Sequence, residues 1–330
     1  MTENPHILTC ILLVEKWLGL LCDIGHASAT IKAYRRAMHH YLRHCAEQEV
    51  EPTTANFEDI SGYIRLQLPG MENAVANSTL QLRISAIRLW YDYLGYYNLS
   101  QNNPVLRAVS ASPIYSGRGL IPRQVRMPRI PDDSMWLTLL TFVAKAPVRD
   151  RLMLAFAYYG ALRRNEVSQL CIEDLDVGHR LIHIRAENTK NRRERVVCYN
   201  PEITPVLIAH LTTLRMQGYS GGAIFRSFSD RNYGQPLTYW SWSKIVRKWA
   251  KTVNIPLLST HTFRHLRLTH LARAGWKLHE LSAYAGHRDP RTTQVYLHLS
   301  GADLALKMTG AIADLDNKLA KLVFSSGDIE

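Results

Sequence analysis

Between Ser110 and Asp133 the chain carries Pro113, Pro122, Pro128 and Pro131 among glycines, serines and arginines, with no apolar periodicity. Such a stretch cannot supply a core helix or a central strand, because proline removes a backbone donor and the pattern offers no face to bury. It splits the 330 residues into two bodies of ordinary domain size. The expected organisation is a helical domain over residues 1–107, a basic linker over 108–131 and a larger domain over 132–330.

Charge is distributed unevenly over these parts. The whole chain has 40 Lys and Arg against 28 Asp and Glu, a formal net charge of +12. Residues 1–107 are close to neutral, with 9 basic and 10 acidic residues. The linker holds Arg118, Arg123, Arg126 and Arg129 and no acid, and residues 132–300 hold 24 basic and 13 acidic residues. A polyanion is the natural partner of such a surface, since displacing condensed counterions from phosphates drives association. An anionic membrane would satisfy the same charge. The most apolar early stretch, Ile7 to Cys22, is interrupted by Glu15 and Lys16, has no basic segment before it and reads as too short to span a bilayer. No membrane association is expected. Five scattered cysteines without a CxxC argue against a disulfide framework or zinc ribbon and for a reducing, cytoplasmic setting.

The first domain reads as helical. After Ser28, a fitting N-cap, Tyr34, Met38, Tyr41 and Cys45 recur at helical spacing, with Lys32, Arg35, Arg36, His39 and Arg43 on the other side. After Asn77-Ser78, Leu80, Ile84, Ile87, Tyr91 and Leu94 form a second stripe, with Arg83 and Arg88 off it. These basic residues are candidate DNA contacts, and a solvated polar face is the other reading. His39, His40 and His44 lack the partners of a metal site, and no metal or other cofactor is expected. In the larger domain, helices are expected over Leu137–Val143 and Arg149–Tyr159. Strands over 180–185 and 195–199 are joined by a polar hairpin, followed by helices. Trp240 and Trp242 read as core or subunit-contact aromatics. From Ala302 to Phe324 an amphipathic tail (Leu304, Met308, Ile312, Leu315, Leu319, Leu322) needs a partner surface.

Four segments carry residues suited to phosphate chemistry: YYGALRRNEVSQL with Arg163 and Glu166, NTKNRRERVV with Lys190, STHTFRHLRLTHLARAG with His261, Arg264 and His265, and YAGHRDPRTTQVYLHLS with His287 and Tyr296. His261 and Arg264, three apart, share a helix face; Thr260 reads as that helix's cap and Gly275 as its end. Asp289-Pro290 reads as the start of a helix carrying Tyr296. Transfer of a phosphodiester without a metal needs cations on two non-bridging oxygens. Planar, permanently charged arginines fit best, hence Arg163 and Arg264, with His261 and His287 as further donors. A nucleophile must attack in line, and neighbouring cations would ease ionisation of Tyr296. The departing oxygen needs a proton, for which Lys190 is suited. Glu166 could orient Arg163, and His265 could support the site by hydrogen bonding. Arg192 and Arg193 in the hairpin are candidate DNA contacts.

In this order and spacing the segments resemble the tyrosine recombinase (phage integrase) family. "GALRRNE" is similar to that family's GxLRxxE context, "HTFRH" to HxLRH with Phe263 in the Leu position, and "AGHRDPRTTQVYLH" to LGHxxxxTTxxYxH. Lys190 lies five residues before Arg195 in a "K…RVV" hairpin. Arg164-Asn165 depart from the usual apolar residue and Ser or Gly. The resemblance implies a mainly α fold with a small antiparallel β-sheet in the catalytic domain, and a two-domain, C-shaped clamp around DNA. Its implied activity is cleavage and rejoining of double-stranded recombination sites through a 3′-phosphotyrosyl link, without ATP or metal. It also implies a tetramer on paired sites, with the C-terminal helix docked on a neighbour. The expected role is integration or excision of a mobile element, in the cytoplasm and on the nucleoid when DNA-bound, with an integron-type enzyme and a chromosome-dimer resolvase also compatible with the motifs. A relaxing enzyme like type IB topoisomerases and a catalytically silent DNA-binding regulator are the alternatives. A metal-dependent nuclease is disfavoured because no carboxylate cluster is evident.

Overall fold

The chain divides into two compact units, Met1–Arg126 and Met127–Glu330. A computed structural model describes residues 5–105, 121, 130–189 and 192–296. Arg118, Arg123, Arg126, Arg129, Lys190 and the amphipathic tail lie outside the described residues.

The first unit is built on α1 (Pro5–Asp23), α2 (Ser28–Glu47), α3 (Phe57–Arg65) and α4 (Asn77–Tyr96). The apolar stripe of α4 is the buried one: Leu80, Ile87 and Leu94 have no exposed surface, and Ile84 and Tyr91 are buried beside them. They meet Met38, Tyr41 and Cys45 of α2, the stripe expected there, while Tyr34 packs at its margin. Each such side chain contributes about 1.5–3 kcal/mol on leaving water. The core is not purely apolar. Tyr91 Oη donates to the Pro52 carbonyl at 2.6 Å and lies 2.7 Å from Tyr41 Oη, which donates to it in turn. Two buried hydroxyls are thereby satisfied, which tolerates their burial.

Two expectations in this unit are corrected. Ser28 is not a cap: Ala27 holds the extended N-cap backbone, with no side-chain cap, and Ser28 is the first helical residue. The apolar run near the start is also longer than it reads, for α1 has 19 residues and is long and apolar enough to cross a membrane by length and composition. Its Ile7, Cys10, Val14, Trp17 and Leu18 are instead buried in the core of the unit. Its Glu15 pairs bidentately with Arg35 of α2, both bonds 2.7 Å.

The second unit contains α5 (Asp133–Val143), α6 (Val148–Tyr159), α7 (Arg164–Ser168), α8 (Thr204–Met216), α9 (Tyr239–Thr252), α10 (Thr260–Arg273), α11 (Leu278–Ala285) and α12 (Arg291–Gln294). Between α7 and α8 lies an antiparallel sheet of β1 (Leu175–Asp176), β2 (Leu181–Ile184) and β3 (Arg195–Cys198), in the order β1-β2-β3. The protein is thus mainly α with one small antiparallel sheet, as the motifs imply. In the β2–β3 register Ile182 faces Val197 and Ile184 faces Arg195. Ile182, Ile184 and Val197 point into the core while His183 and Val196 are exposed, the alternation a half-buried sheet requires. Phe156, Phe225, Trp242 and Phe263 fill the centre of that core. Trp242 is therefore a core residue, whereas Trp240 is exposed and lies under the Arg164 guanidinium. The cap of α10 is Ser259, not Thr260, with its backbone N–H donating to Thr262 Oγ1 at 2.9 Å. Gly275 does follow that helix, at a positive φ of 89°.

Candidate active site

The site of the second unit is assembled where α6, α7, β3, α10 and the segment after α11 converge. α6 ends at Gly160, and the next residue, Ala161, holds a φ of 47°, unusual for a residue with a Cβ. This turn leaves the Ala161 carbonyl facing α10, where Arg264 donates to it from Nη1 at 2.5 Å. Arg264 Nη2 donates to the Ala285 carbonyl at 2.6 Å and to His287 Nε2 at 2.9 Å. The side chain is 3% exposed. Burial, and then the nearby Arg163 cation, push its pKa down to about 9, so it remains charged at neutral pH.

Arg163, at the start of α7, is fixed by Glu166 one turn on. Its backbone N–H donates to Glu166 Oε2 and its Nη1 to Oε1, both at 2.8 Å. The same carboxylate takes two bonds from Arg195 of β3, from Nη2 at 2.7 Å and Nη1 at 3.2 Å. Burial alone would raise the Glu166 carboxyl. The bonds and charge of Arg195, followed by those of Arg163, outweigh it and bring the pKa to about 2. Arg195 also donates from Nε to the Tyr284 carbonyl. A Cβ at Gly286 would sit 3.1 Å from Arg195 Cδ, and φ there is 63°, so glycine is needed on both counts. Arg163 and Arg195 thus share one carboxylate while Arg264 is held by carbonyls and an imidazole, so three guanidinium charges stand against a single carboxylate charge. That is a site waiting for an anion.

The histidines are held neutral. An arginine can only donate, so His287 Nε2 accepts from Arg264, and its Nδ1–H donates to Thr293 Oγ1 at 2.8 Å. Burial first, and the Arg264 and Arg163 cations after it, press its pKa to about 3. His265 is lowered to about 4 by burial, then by His261 and Arg264. His261, on the same face of α10, is exposed at the surface, yet desolvation by the surrounding protein and then the cations of Arg164, Arg264 and Arg163 lower its pKa too.

Tyr296 is 5% exposed, packed in a small apolar cluster with Ala161, Leu268 and Ala285. Its hydroxyl lies 2.6 Å from His265 Nδ1, and its ring runs nearly parallel to that of His287 with centroids 6.4 Å apart. The expected helix behind Asp289-Pro290 is corrected: α12 spans only Arg291–Gln294, and Tyr296 lies beyond its end. Thr292, Thr293 and Val295 are β-branched and propagate a helix poorly, and Thr293 is held by His287. The expected easing of ionisation is also only half the balance. Arg264 and Arg163 do pull the Tyr296 pKa down, but burial outweighs them and the phenol stands above its ordinary value.

Arg163, Glu166, Arg264, His265, His287 and Tyr296 are therefore joined by contacts, with His261 at the edge. From the sequence Arg195 reads only as part of the hairpin. Its role as second partner of Glu166 depends on a contact across 29 residues, and only its place at the inner end of a strand hinted at it. Among the candidate DNA contacts, Lys32, Arg36, Arg43, Arg192 and Arg193 are exposed. Arg88 is half-buried, Arg35 is paired with Glu15, and Arg83 is engaged by His40 and Gln67. Among the described residues no group of three or more His, Cys, Asp or Glu side chains is placed to hold a metal ion.

The Phage integrase family profile matches residues 133–302, just over half of the chain, and the chain belongs to that family. Within it, this is a tyrosine recombinase, an enzyme that cleaves and rejoins DNA at specific sites. The tyrosine recombinase XerD of Listeria monocytogenes is 25% identical over 300 residues, covering 87% of this chain and 94% of that protein. Transposase A from transposon Tn554 of Staphylococcus aureus is 24% identical over 320 residues, covering 88% of each. In fold, the chain is similar to the XerH recombinase bound to a palindromic difH substrate after cleavage, with TM-score 0.67, 16% identity, and 84% and 79% of the two chains covered. The Tn1549 transposon integrase in complex with transposon right-end DNA gives TM-score 0.63 and 16% identity over 92% and 99%.

Proposed function

We propose that Tyr296 attacks a DNA phosphate held by Arg163 and Arg264, forming a 3′-phosphotyrosyl link and releasing a 5′-hydroxyl. The observation that carries this reading is the convergence of two unbalanced cations on a buried tyrosine whose hydroxyl is already hydrogen-bonded. Arg163 and Arg264 offer fixed, planar donors to the non-bridging oxygens, where charge grows in the transition state. His261 stands beside them as a further donor, and His265 supports the nucleophile. His287, whose Nε2 accepts from Arg264 and whose Nδ1–H goes to Thr293, orients that arginine instead of donating to the phosphate. Lys190, in the β2–β3 connection, supplies the proton to the departing 5′ oxygen. Because the ester keeps the energy of the broken bond, the reaction needs neither ATP nor a metal. The partner is duplex DNA, a reading supported by the Tn1549 integrase in complex with transposon right end DNA and by XerH bound to a difH substrate. Exposed Lys32, Arg36, Arg43, Arg192 and Arg193, together with Arg35, Arg83, Arg88 and the linker arginines, contribute phosphate contacts. The Arg35–Glu15 pair is about 40% exposed on each side, so it is worth at most about 1 kcal/mol and gives way to a phosphate readily.

The protein works as a tetramer on two paired sites in the cytoplasm, each tail docked on a neighbour, and moves a mobile element. The full-length likeness to the Tn554 transposase supports the last point. The domain limits remain residues 1–107, 108–131 and 132–330.

The test uses a duplex that the purified protein selects from a randomised library, nicked just beyond the cleavage position so that the cut strand is lost. Wild type yields a denaturation-resistant protein–DNA adduct and Tyr296→Phe yields none; equal adduct from both overturns the reading. Two intact copies of the site then give recombinant product, where a relaxing enzyme gives only relaxed circles. A junction amplified from a DNA circle bearing the gene itself supports the mobile element, and its absence from cells expressing active protein refutes it.

A further inference from the structure

We propose that His265 is the base that takes the phenolic proton of Tyr296 as that oxygen attacks phosphorus. The inference rests on Tyr296 being the nucleophile and assigns the step that reading leaves open.

His265 Nδ1 and Tyr296 Oη are 2.6 Å apart, within direct proton-transfer distance. The direction of that bond follows from charge. The groups facing His265 are His261 and Arg264 on its own helix, and His287 and Tyr296 from the segment after α11, with Arg163 acting on Tyr296 from the start of α7. None of these is a carboxylate. Buried in such company His265 stays neutral at physiological pH, so its Nδ1 lone pair accepts and the phenol donates. His287 cannot take the same role, because its Nε2 already accepts from Arg264 and its Nδ1–H donates to Thr293.

The atoms balance as follows. The Oη–H bond breaks and its proton passes to His265 Nδ1. Oη bonds to phosphorus and the P–O5′ bond breaks. The departing oxygen is protonated from its own side, by Lys190 in the reading above, and the diester keeps one negative charge throughout. In religation the His265 imidazolium returns the proton to the tyrosine oxygen as the Oη–P bond breaks. In the empty site His265 is too weak a base to deprotonate a phenol. A phosphate brought between Arg163 and Arg264 changes this, because its negative charge favours the imidazolium. The anion that is to be attacked thereby strengthens the base that enables the attack, and a tyrosine without DNA stays protonated.

The experiment measures the single-turnover rate of adduct formation by full-length protein on the nicked duplex, from pH 5.5 to 9. Wild type, His265→Asn and His265→Ala are compared on an ordinary phosphodiester and on a 5′-bridging phosphorothiolate, whose sulfur departs without needing a proton. Asn can accept the same hydrogen bond but cannot take a proton. Expected is a loss of about 100- to 1000-fold at pH 7 for both variants. The deficit narrows as pH rises, the phosphorothiolate does not cure it, and added imidazole partly restores His265→Ala. Binding of the duplex and thermal melting of His265→Asn establish that the variant is folded. A rate within about fivefold of wild type, with an unchanged pH profile, overturns the proposal. So does full rescue by the phosphorothiolate, which would place His265 on the leaving-group side. Failure of the Tyr296 reading is a separate result: adduct formed by Tyr296→Phe.

Discussion

Replacing Glu166 by glutamine removes one charge and no volume, and the structure sets the cost. The carboxylate is 1% exposed, and its pKa falls from 4.5 to about 2 under the bonds and charges of Arg195 and Arg163. A displacement of that size corresponds to about 3 kcal/mol of interaction with the ionised form. A glutamine has one acceptor oxygen for two arginines and turns an N–H₂ toward a guanidinium. Arg195, whose side chain is 6% exposed, would be left as a buried, half-paired cation. Expected for Glu166→Gln is a loss of about 3 kcal/mol in the unfolding of the second unit, followed in urea by tryptophan fluorescence. The pH dependence adds a second check. Between pH 2 and 4.5 the unfolded chain binds more protons at this position than the folded one. The contribution is therefore complete above about pH 4.5 and lost as pH falls toward 2. The stability gap between wild type and variant should be flat from pH 7 to 5 and shrink below. A gap under about 1 kcal/mol, or one that does not change with acid, refutes the view of Glu166 as the charged brace of two arginines. Adduct formation should fall as well, since Arg163 loses its fixed orientation.

Arg264→Lys keeps the charge but cannot reach the Ala161 carbonyl, the Ala285 carbonyl and His287 together. Adduct formation at saturating DNA should drop about 100- to 1000-fold, and a variant within tenfold of wild type would deny Arg264 its role on the phosphate. Acid should weaken the second unit earlier than its carboxylates alone would cause. His265 and His287 are lowered from 6.5 to about 4 and about 3, so the unfolded state binds more protons below pH 6.5. Stability is thus full above about pH 6.5 and lost as pH falls, by about 2 kcal/mol per histidine at pH 5. The Tm of the His265→Asn, His287→Asn double variant should be flatter between pH 7 and 5, and an unchanged acid slope would rule this cause out.

Periodicity alone placed the helices whose packing is local. Leu80 to Leu94 repeat at helical spacing because one face of α4 meets the rest of its own unit, and that face is the buried one. Helix starts were less legible. Ser28 and Thr260 have cap-like side chains, yet the extended backbone that defines a cap falls one residue earlier, at Ala27 and Ser259. That conformation is set by the preceding loop. β1, with two residues, is too short to show any alternation. In the site, residue types and spacing pointed to Arg163, Glu166, Arg264, His287 and Tyr296 together. The partnerships were not legible: Arg195 with Glu166, Arg264 with the carbonyl that Ala161 turns toward it, and His265 with Tyr296 each join elements distant in sequence. The short α12 escaped for the same reason, since a good helix start says little about where tertiary contacts will stop it.

The surplus of positive charge around Glu166 and Arg264 also bears on how the enzyme spends its time. Guanidinium groups crowded together without a matching anion repel one another, so the catalytic unit is under electrostatic stress whenever DNA is absent. A phosphate relieves that stress, and the fold should be firmer with substrate than without. The same relief must be surrendered when the rejoined duplex leaves. Release of the rejoined duplex is then expected to be slower than the exchange of esters, which a chase of bound product with competitor DNA measures.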